Sequence, residues 1–167
     1  MKRKKILIDA RMASLKHAGI GRYILNLLNE IQKKEKESNF SFALIADKKN
    51  LAQLKKQFGG NFTYFPAVSS HYSFWEQFEI SFLIGKINPD LVHFPHFNVP
   101  LLMKKAYVVT IHDIIKHYSK GKETTTKSSL IYWPKYLAYR LLFRQTIKRA
   151  KKIIVPSQWV KNQLIKK

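Results

Sequence analysis

The sequence predicts an α/β fold: a doubly wound parallel sheet in a single domain. Short apolar, β-branched runs alternate with segments of helical spacing from one end of the chain to the other, with no internal repeat and no long linker. Strands that alternate with helices are joined by crossovers, and crossovers make neighbouring strands parallel. The run Ala106–Ile111 supports the same conclusion, because it is apolar almost throughout, as a strand covered on both faces has to be.

Taken in order, Lys5–Asp9 is the first strand, and Gly19–Lys36 is a helix with Ile20, Ile24, Leu27, Leu28 and Ile31 on one face. Phe40–Ala46 is the next strand and Asn50–Phe58 a short helix. Phe62–Phe65 is a third strand, entered through the turn Gly59-Gly60-Asn61. Tyr72–Ile87 is helical by spacing and ends before Asn88-Pro89, since a residue preceding proline is driven out of the helical region. Leu91–Phe94 and Ala106–Ile111 follow as strands. Ser129–Lys148 is a long helix in which Pro134 marks the first turn or a kink. Lys152–Val155 is the last strand, and Ser157 is placed to cap a final helix. The polar segment His117–Lys127 reads equally as a mobile loop beside a site and as a plain surface connection.

Composition narrows the class. A chain of 167 residues with 46% apolar content is long enough to bury a real core. The absence of cysteine excludes a disulfide framework and suits a reducing compartment. The basic start Met1–Lys5 is followed only by Ile6-Leu7-Ile8 before Asp9, too short for the apolar core of a signal peptide. No run approaches the roughly 20 apolar residues that span a bilayer. The expectation is a cytoplasmic protein, soluble or peripheral at the inner membrane surface.

The formal net charge of +21 invites an anionic partner, either a membrane surface or nucleic acid. Only six of the 31 basic residues are arginine, and base and phosphate recognition favours the guanidinium fork, so nucleic acid is the weaker reading. A solvated lysine surface is the plain alternative. Leu130–Arg144 interleaves aromatic and basic residues, a pattern that fits a lipid headgroup interface but is read first as a core-facing helix.

Chemistry concentrates after two strands. Asp9–Tyr23 and Thr110–Asp113 each follow an apolar run and therefore emerge at strand carboxyl ends, where open α/β sheets bind ligands. Gly19 and Gly21 stand at a helix entry, where a bare backbone and unpaired amides attract phosphate. Position 24 is Ile, so the dinucleotide fingerprint is incomplete; no Walker motif is present, and a packing role for these glycines stands beside the phosphate role. Arg22 suits a phosphate or carboxylate, or solvent. His112 and Asp113 sit at the rim with no serine or cysteine nucleophile motif, which argues against a hydrolytic triad. His93 and His96 flank Phe94-Pro95 with no adjacent acid or cysteine, so no metal site is assigned to them. Together with Asn98 they are placed along the cleft rim or beneath it.

Asp9-Ala10-Arg11 through Gly19-Ile20-Gly21-Arg22-Tyr23, then His93-Phe94-Pro95, Val108–Asp113 and Arg149–Ser157, occur in an order that resembles the amino-terminal domain of family 4 glycosyltransferases. The resemblance implies a retaining enzyme of the GT-B architecture, in which two Rossmann-like domains face each other across a cleft. The first domain mainly holds the acceptor and the second binds the nucleotide sugar. It further implies that Gly19 and Gly21 lie near the donor diphosphate and that Asp113 shapes the loop of His112. His112 would lie beside the transferred sugar, orienting hydroxyls and stabilising charge at the anomeric centre. Arg22 would contact phosphate or acceptor. No catalytic metal and no cofactor are implied, the nucleotide sugar being a substrate.

On this resemblance residues 1–167 are the amino-terminal domain alone, and the donor-binding domain with its paired glutamates is absent. The expected function is the acceptor-binding half of a hexosyltransferase-like enzyme acting on a lipid-linked or polysaccharide acceptor. It would be inactive unless a partner chain or the remainder of a longer one supplies the second domain. Two alternatives stand: a non-catalytic Rossmann-like module that binds an anionic membrane surface or nucleic acid, and a complete small enzyme with His112 as general base. A face built to meet a second domain should leave Tyr, Phe or Trp residues uncovered near the strand carboxyl ends.

Overall fold

The computed structural model describes residues 3–34, 39–114 and 129–166. Six strands, β1 (Lys4–Asp9), β2 (Phe40–Asp47), β3 (Thr63–Ala67), β4 (Leu91–Phe94), β5 (Tyr107–Thr110) and β6 (Lys152–Ile154), form one sheet in the order β3-β2-β1-β4-β5-β6. Every pairing is parallel, with Leu7 opposite both Ala43 and Val92. The fold is therefore the doubly wound α/β sheet that the alternation of elements predicts.

Side chains alternate across a strand, so each strand feeds two cores. Ile8 and Leu44 face one layer, where helices α1 (Ala18–Lys34) and α2 (Leu51–Phe58) contribute Ile24, Leu28, Leu54 and Phe58. Leu7, Ile45 and Val92 face the other. There α3 (Phe74–Ile87), α4 (Ser129–Arg149) and α5 (Gln158–Ile165) contribute Ile80, Ile84, Phe143 and Val160. Each fully buried leucine or isoleucine contributes about 1.5–3 kcal/mol, so the two layers dominate the stability.

Local chemistry sets the helix ends. Ser73 caps α3 by accepting from the Glu76 amide at 3.2 Å, and Asn88 ends the helix in the left-handed region with φ 49°. Ser157 caps α5 in the same way through the Val160 amide. Helix α1 begins at Ala18, and a 3-10 turn over Leu15–His17 precedes it. Gly21 is required there: a Cβ would fall 1.9 Å from the Ser14 carbonyl oxygen.

Some boundaries differ from expectation. Strand β3 runs through Pro66 to Ala67, which an edge strand tolerates because its outer amides pair with nothing. Strand β5 is shorter than Ala106–Ile111, although Val92 N still donates to Ala106 O and Ile111 N to Ile154 O. Pro134 falls in the second turn of α4. The loop His117–Lys127 lies outside the described residues, as do Glu35 and Lys36 at the expected end of α1. Among the described residues no helix is long and apolar enough to cross a membrane.

The sheet order locates the site. From β1 the chain winds outward through β2 to β3, returns along α3 to β4 on the other side of β1, and winds outward again to β6. A crevice opens at the carboxyl ends where the winding direction reverses, between β1 and β4.

Candidate functional site

Asp9 is the last residue of β1, and the loop after it is held to the sheet by the Ala10 amide donating to Ile45 O at 2.8 Å. Arg11 forks back onto Asp9, its Nε 2.8 Å from Oδ1 and its Nη2 2.7 Å from Oδ2. Its Nη1 forms an ion pair with Glu76 Oε1 in the first turn of α3, at 2.7 Å. Glu76 Oε2 accepts from Asn98 Nδ2 at 2.8 Å and from the Tyr72 amide at 2.5 Å. Arg11 is 2% exposed and Glu76 1%, so this is a buried network in which one guanidinium serves two carboxylates and the Asn98 and Tyr72 donors satisfy the remaining Glu76 oxygen.

The titrations follow from that pairing. Burial alone would raise the Asp9 carboxyl, but the Arg11 charge and hydrogen bonds, with a smaller contribution from His71, hold it below the usual range. Glu76 is likewise lowered: burial opposes, while His71, Arg11 and Asn98 prevail. Burial would lower Arg11, and its two carboxylates raise it instead. The network forms one wall of a narrow cleft lined also by Met12, His71, Pro95 and His96. Tyr72 stands in the left-handed region with φ 63°, and its hydroxyl lies 3.2 Å from His96 Nε2. Such backbone strain in a bulky residue persists only where the surroundings impose it, here through the amide bond to Glu76.

A second constellation lies on the α1 side of the sheet. His93 points there because its neighbours Val92 and Phe94 point to the opposite core. Its Nε2 is 3.0 Å from Thr110 Oγ1, and the Tyr23 hydroxyl is 3.1 Å from the same oxygen. Burial pushes His93 down to about 4; His112 nearby adds to the effect and Asp9 opposes it. His93 is thus a neutral, buried strut beneath the rim.

His112 is half-buried, with Nε2 donating to the Pro95 carbonyl at 2.9 Å. The neutral ring therefore keeps Nδ1 as its lone-pair acceptor. Its ring meets Tyr23 edge-on, centroids 4.9 Å apart. Tyr23 belongs to the second turn of α1, so Gly19, Gly21 and Arg22 border the same rim.

The two glycines differ. A Cβ on Gly19 would meet nothing within 4 Å, leaving its backbone open to a ligand, whereas Gly21 is closed against Ser14. Arg22 and Asp113 are exposed. Asn98 is buried, donates to Glu76 and lines the cleft beside His96. His96 is half-buried, its ring 4.2 Å from that of Phe97. The ends of β4 and β5 thus carry His93, His96, Asn98 and His112, of which His96 and Asn98 line the cleft and His93 lies beneath it.

Sequence reasoning did not single out Glu76, His71 or Tyr72, and gave Thr110 no role beyond opening the run Thr110–Asp113. For Glu76 a signal was present: helical spacing places it on the same face as Ile80, Ile84 and Ile87, which marks a carboxylate turned into the core. A core carboxylate needs a cation, and Arg11 supplies it.

No curated protein matches the chain in sequence. The family model described as Glycosyltransferase Family 4 matches residues 17–167, a span that takes in α1 with its glycines, the β4 and β5 strand ends and the last strand and helix. With a doubly wound sheet and a polar crevice at its switch point, the chain belongs to Glycosyltransferase Family 4.

Proposed function

We propose that this domain forms the acceptor-side wall of a retaining, nucleotide-sugar-dependent glycosyltransferase that acts on a lipid-linked or polysaccharide acceptor. A donor-binding domain, in the same polypeptide or another, supplies the facing wall. The observation that carries the reading is His112, fixed between the Pro95 carbonyl and Tyr23 at the β1/β4 crevice of a family 4 domain.

In this reading the acceptor oxygen bonds to the anomeric carbon on the face from which the nucleotide diphosphate departs, and the acceptor's proton passes to the departing diphosphate oxygen. His112 Nδ1 accepts a sugar hydroxyl and the imidazole faces the charge that develops at the anomeric centre. The open backbone at Gly19 receives the donor diphosphate at the start of α1, and exposed Arg22 adds a positive charge. Asp113 shapes the loop that carries His112. The nucleotide sugar enters as substrate, not as cofactor.

The test is transfer of labelled sugar from a panel of nucleotide sugars to membrane-extract acceptors, with the chain alone and with lysate from its own source. Transfer that requires both chain and lysate, and that His112→Ala lowers by about two orders of magnitude, supports the reading. Silence in both mixtures favours the non-catalytic module.

A further inference from the structure

We infer that the face of the sheet covered by α3 and α4 docks on an anionic lipid surface. The inference does not depend on sugar transfer. Helix α3 turns Ile80, Ile84 and Ile87 inward, while Phe74, Trp75, Phe78 and Phe82 project outward at 72%, 74%, 45% and 69% exposure. On α4, Phe143 and Thr146 are buried, and Trp133, Leu137 and Leu141, one turn apart, stand outward at 55%, 70% and 53%. The segment Leu101–Met103 is bonded to both helices. Leu101 N donates to Gln77 Oε1 of α3 at 2.9 Å, Arg149 of α4 donates to Leu101 O at 2.6 Å and to Met103 O, and Leu102 is 59% exposed. Apolar side chains thus stand exposed on both helices and on the segment between them, more than a soluble monomer has a folding reason to keep.

Charge selects the occupant. From Thr124 to Lys167 the chain has eleven lysines and arginines and no acidic residue. On α4, exposed Arg140 and Arg144 alternate with Leu137 and Leu141 along one face. The acidic residues of α3 are engaged elsewhere: Glu76 is buried in its ion network, and Glu79 accepts the Val68 and Ser69 amides, both at 2.8 Å. Lysine, eight of those eleven cations, is depleted from protein interfaces, and nucleic acid offers nothing to a row of leucine and phenylalanine. An anionic bilayer accommodates both, taking aromatic and aliphatic groups below its headgroups and cations at their level. All three tryptophans, Trp75, Trp133 and Trp159, are more than half exposed, and indole favours that boundary. Tyr72 adjoins the start of this stripe and touches His96, so docking in this orientation sets the crevice beside the headgroups.

The experiment is co-sedimentation of the full chain with vesicles of phosphatidylcholine alone or mixed with phosphatidylglycerol, together with quenching of tryptophan fluorescence by brominated lipid. The expected result is binding that requires phosphatidylglycerol, with the tryptophans quenched. The Trp75→Ser/Phe78→Ser and Arg140→Glu/Arg144→Glu variants, folded by circular dichroism, should each bind at least tenfold more weakly. Absence of vesicle binding overturns the inference, as does binding without quenching or binding that survives both double substitutions. Binding of RNA but not of vesicles, or a dimer in solution that the Trp75/Phe78 variant dissociates, overturns it in favour of a different occupant.

Discussion

Arg11 Nη1 lies 2.7 Å from Glu76 Oε1, and the two side chains, from the loop after β1 and from α3, are both buried. Removing Arg11 leaves the Asp9 and Glu76 carboxylates uncompensated in a poorly solvated site, which costs about 3–5 kcal/mol. Arg11→Ala should lower the free energy of unfolding by that amount in urea titrations, whereas Glu76→Ala, which leaves Arg11 on Asp9 but takes the acceptor from Asn98 and the Tyr72 amide, should cost about 1–3 kcal/mol. Glu76→Gln should cost less, because an amide oxygen still accepts from Asn98 and Tyr72.

The two glycines of the α1 entry should respond in opposite directions. Gly21→Ala forces a methyl group onto the Ser14 carbonyl, and overpacking against backbone costs about 1–3 kcal/mol or more. Gly19→Ala meets open space and should stabilise the helix by up to about 1 kcal/mol. Thermal unfolding of the two variants separates the packing glycine from the one available to a ligand.

Stability should fall on acidification before the carboxylates titrate. His93 has a folded value of about 4 against an ordinary value of 6.5, so the unfolded chain binds the extra proton between them. The contribution is complete above pH 6.5 and is lost as pH falls to about 4, a loss on the order of 3 kcal/mol. His17, lowered by burial and His71, acts in the same direction more weakly. At lower pH, Asp9 and Glu76, both held below the usual range, continue the loss as they protonate. Unfolding free energies measured from pH 7 to 4 should slope downward, and His93→Gln should flatten that slope.

Thr110 joins His93 to Tyr23 through one hydroxyl. Thr110→Val should cost about 1–3 kcal/mol, because the buried Nε2 of His93 loses its partner. The imidazole nitrogen shifts of His93, read by NMR, should move with it, whereas those of His71 should not.

The run of strands and helices was legible because periodicity and caps are local properties. Ser157 and the stop at Asn88-Pro89 stand where their chemistry demands. Ser73 moved the start of α3 to Phe74, past Tyr72. The placement of Gly19, Arg22, His112 and Asp113 around one rim was legible too, since strand ends bring loops together. The contacts of Glu76 with Arg11 and of Thr110 with Tyr23 were not, because they depend on β4 returning beside β1, and no local pattern encodes strand order. The core-facing reading of α4 holds for Phe143 but not for Trp133, Leu137 or Leu141. A helix apolar on most sides does not announce which side turns inward.

The pairing of β1 with β4 also governs how the molecule acquires its site. Strands β1, β2 and β3 can assemble through neighbouring contacts, yet one wall of the crevice arrives only when α3 carries the chain back and Val92 aligns with Leu7. An intermediate built from the first half alone therefore has no crevice. Amide exchange at Ile8 and His93 should report the same opening event, that of the whole domain, so the crevice is lost only when the sheet itself comes apart.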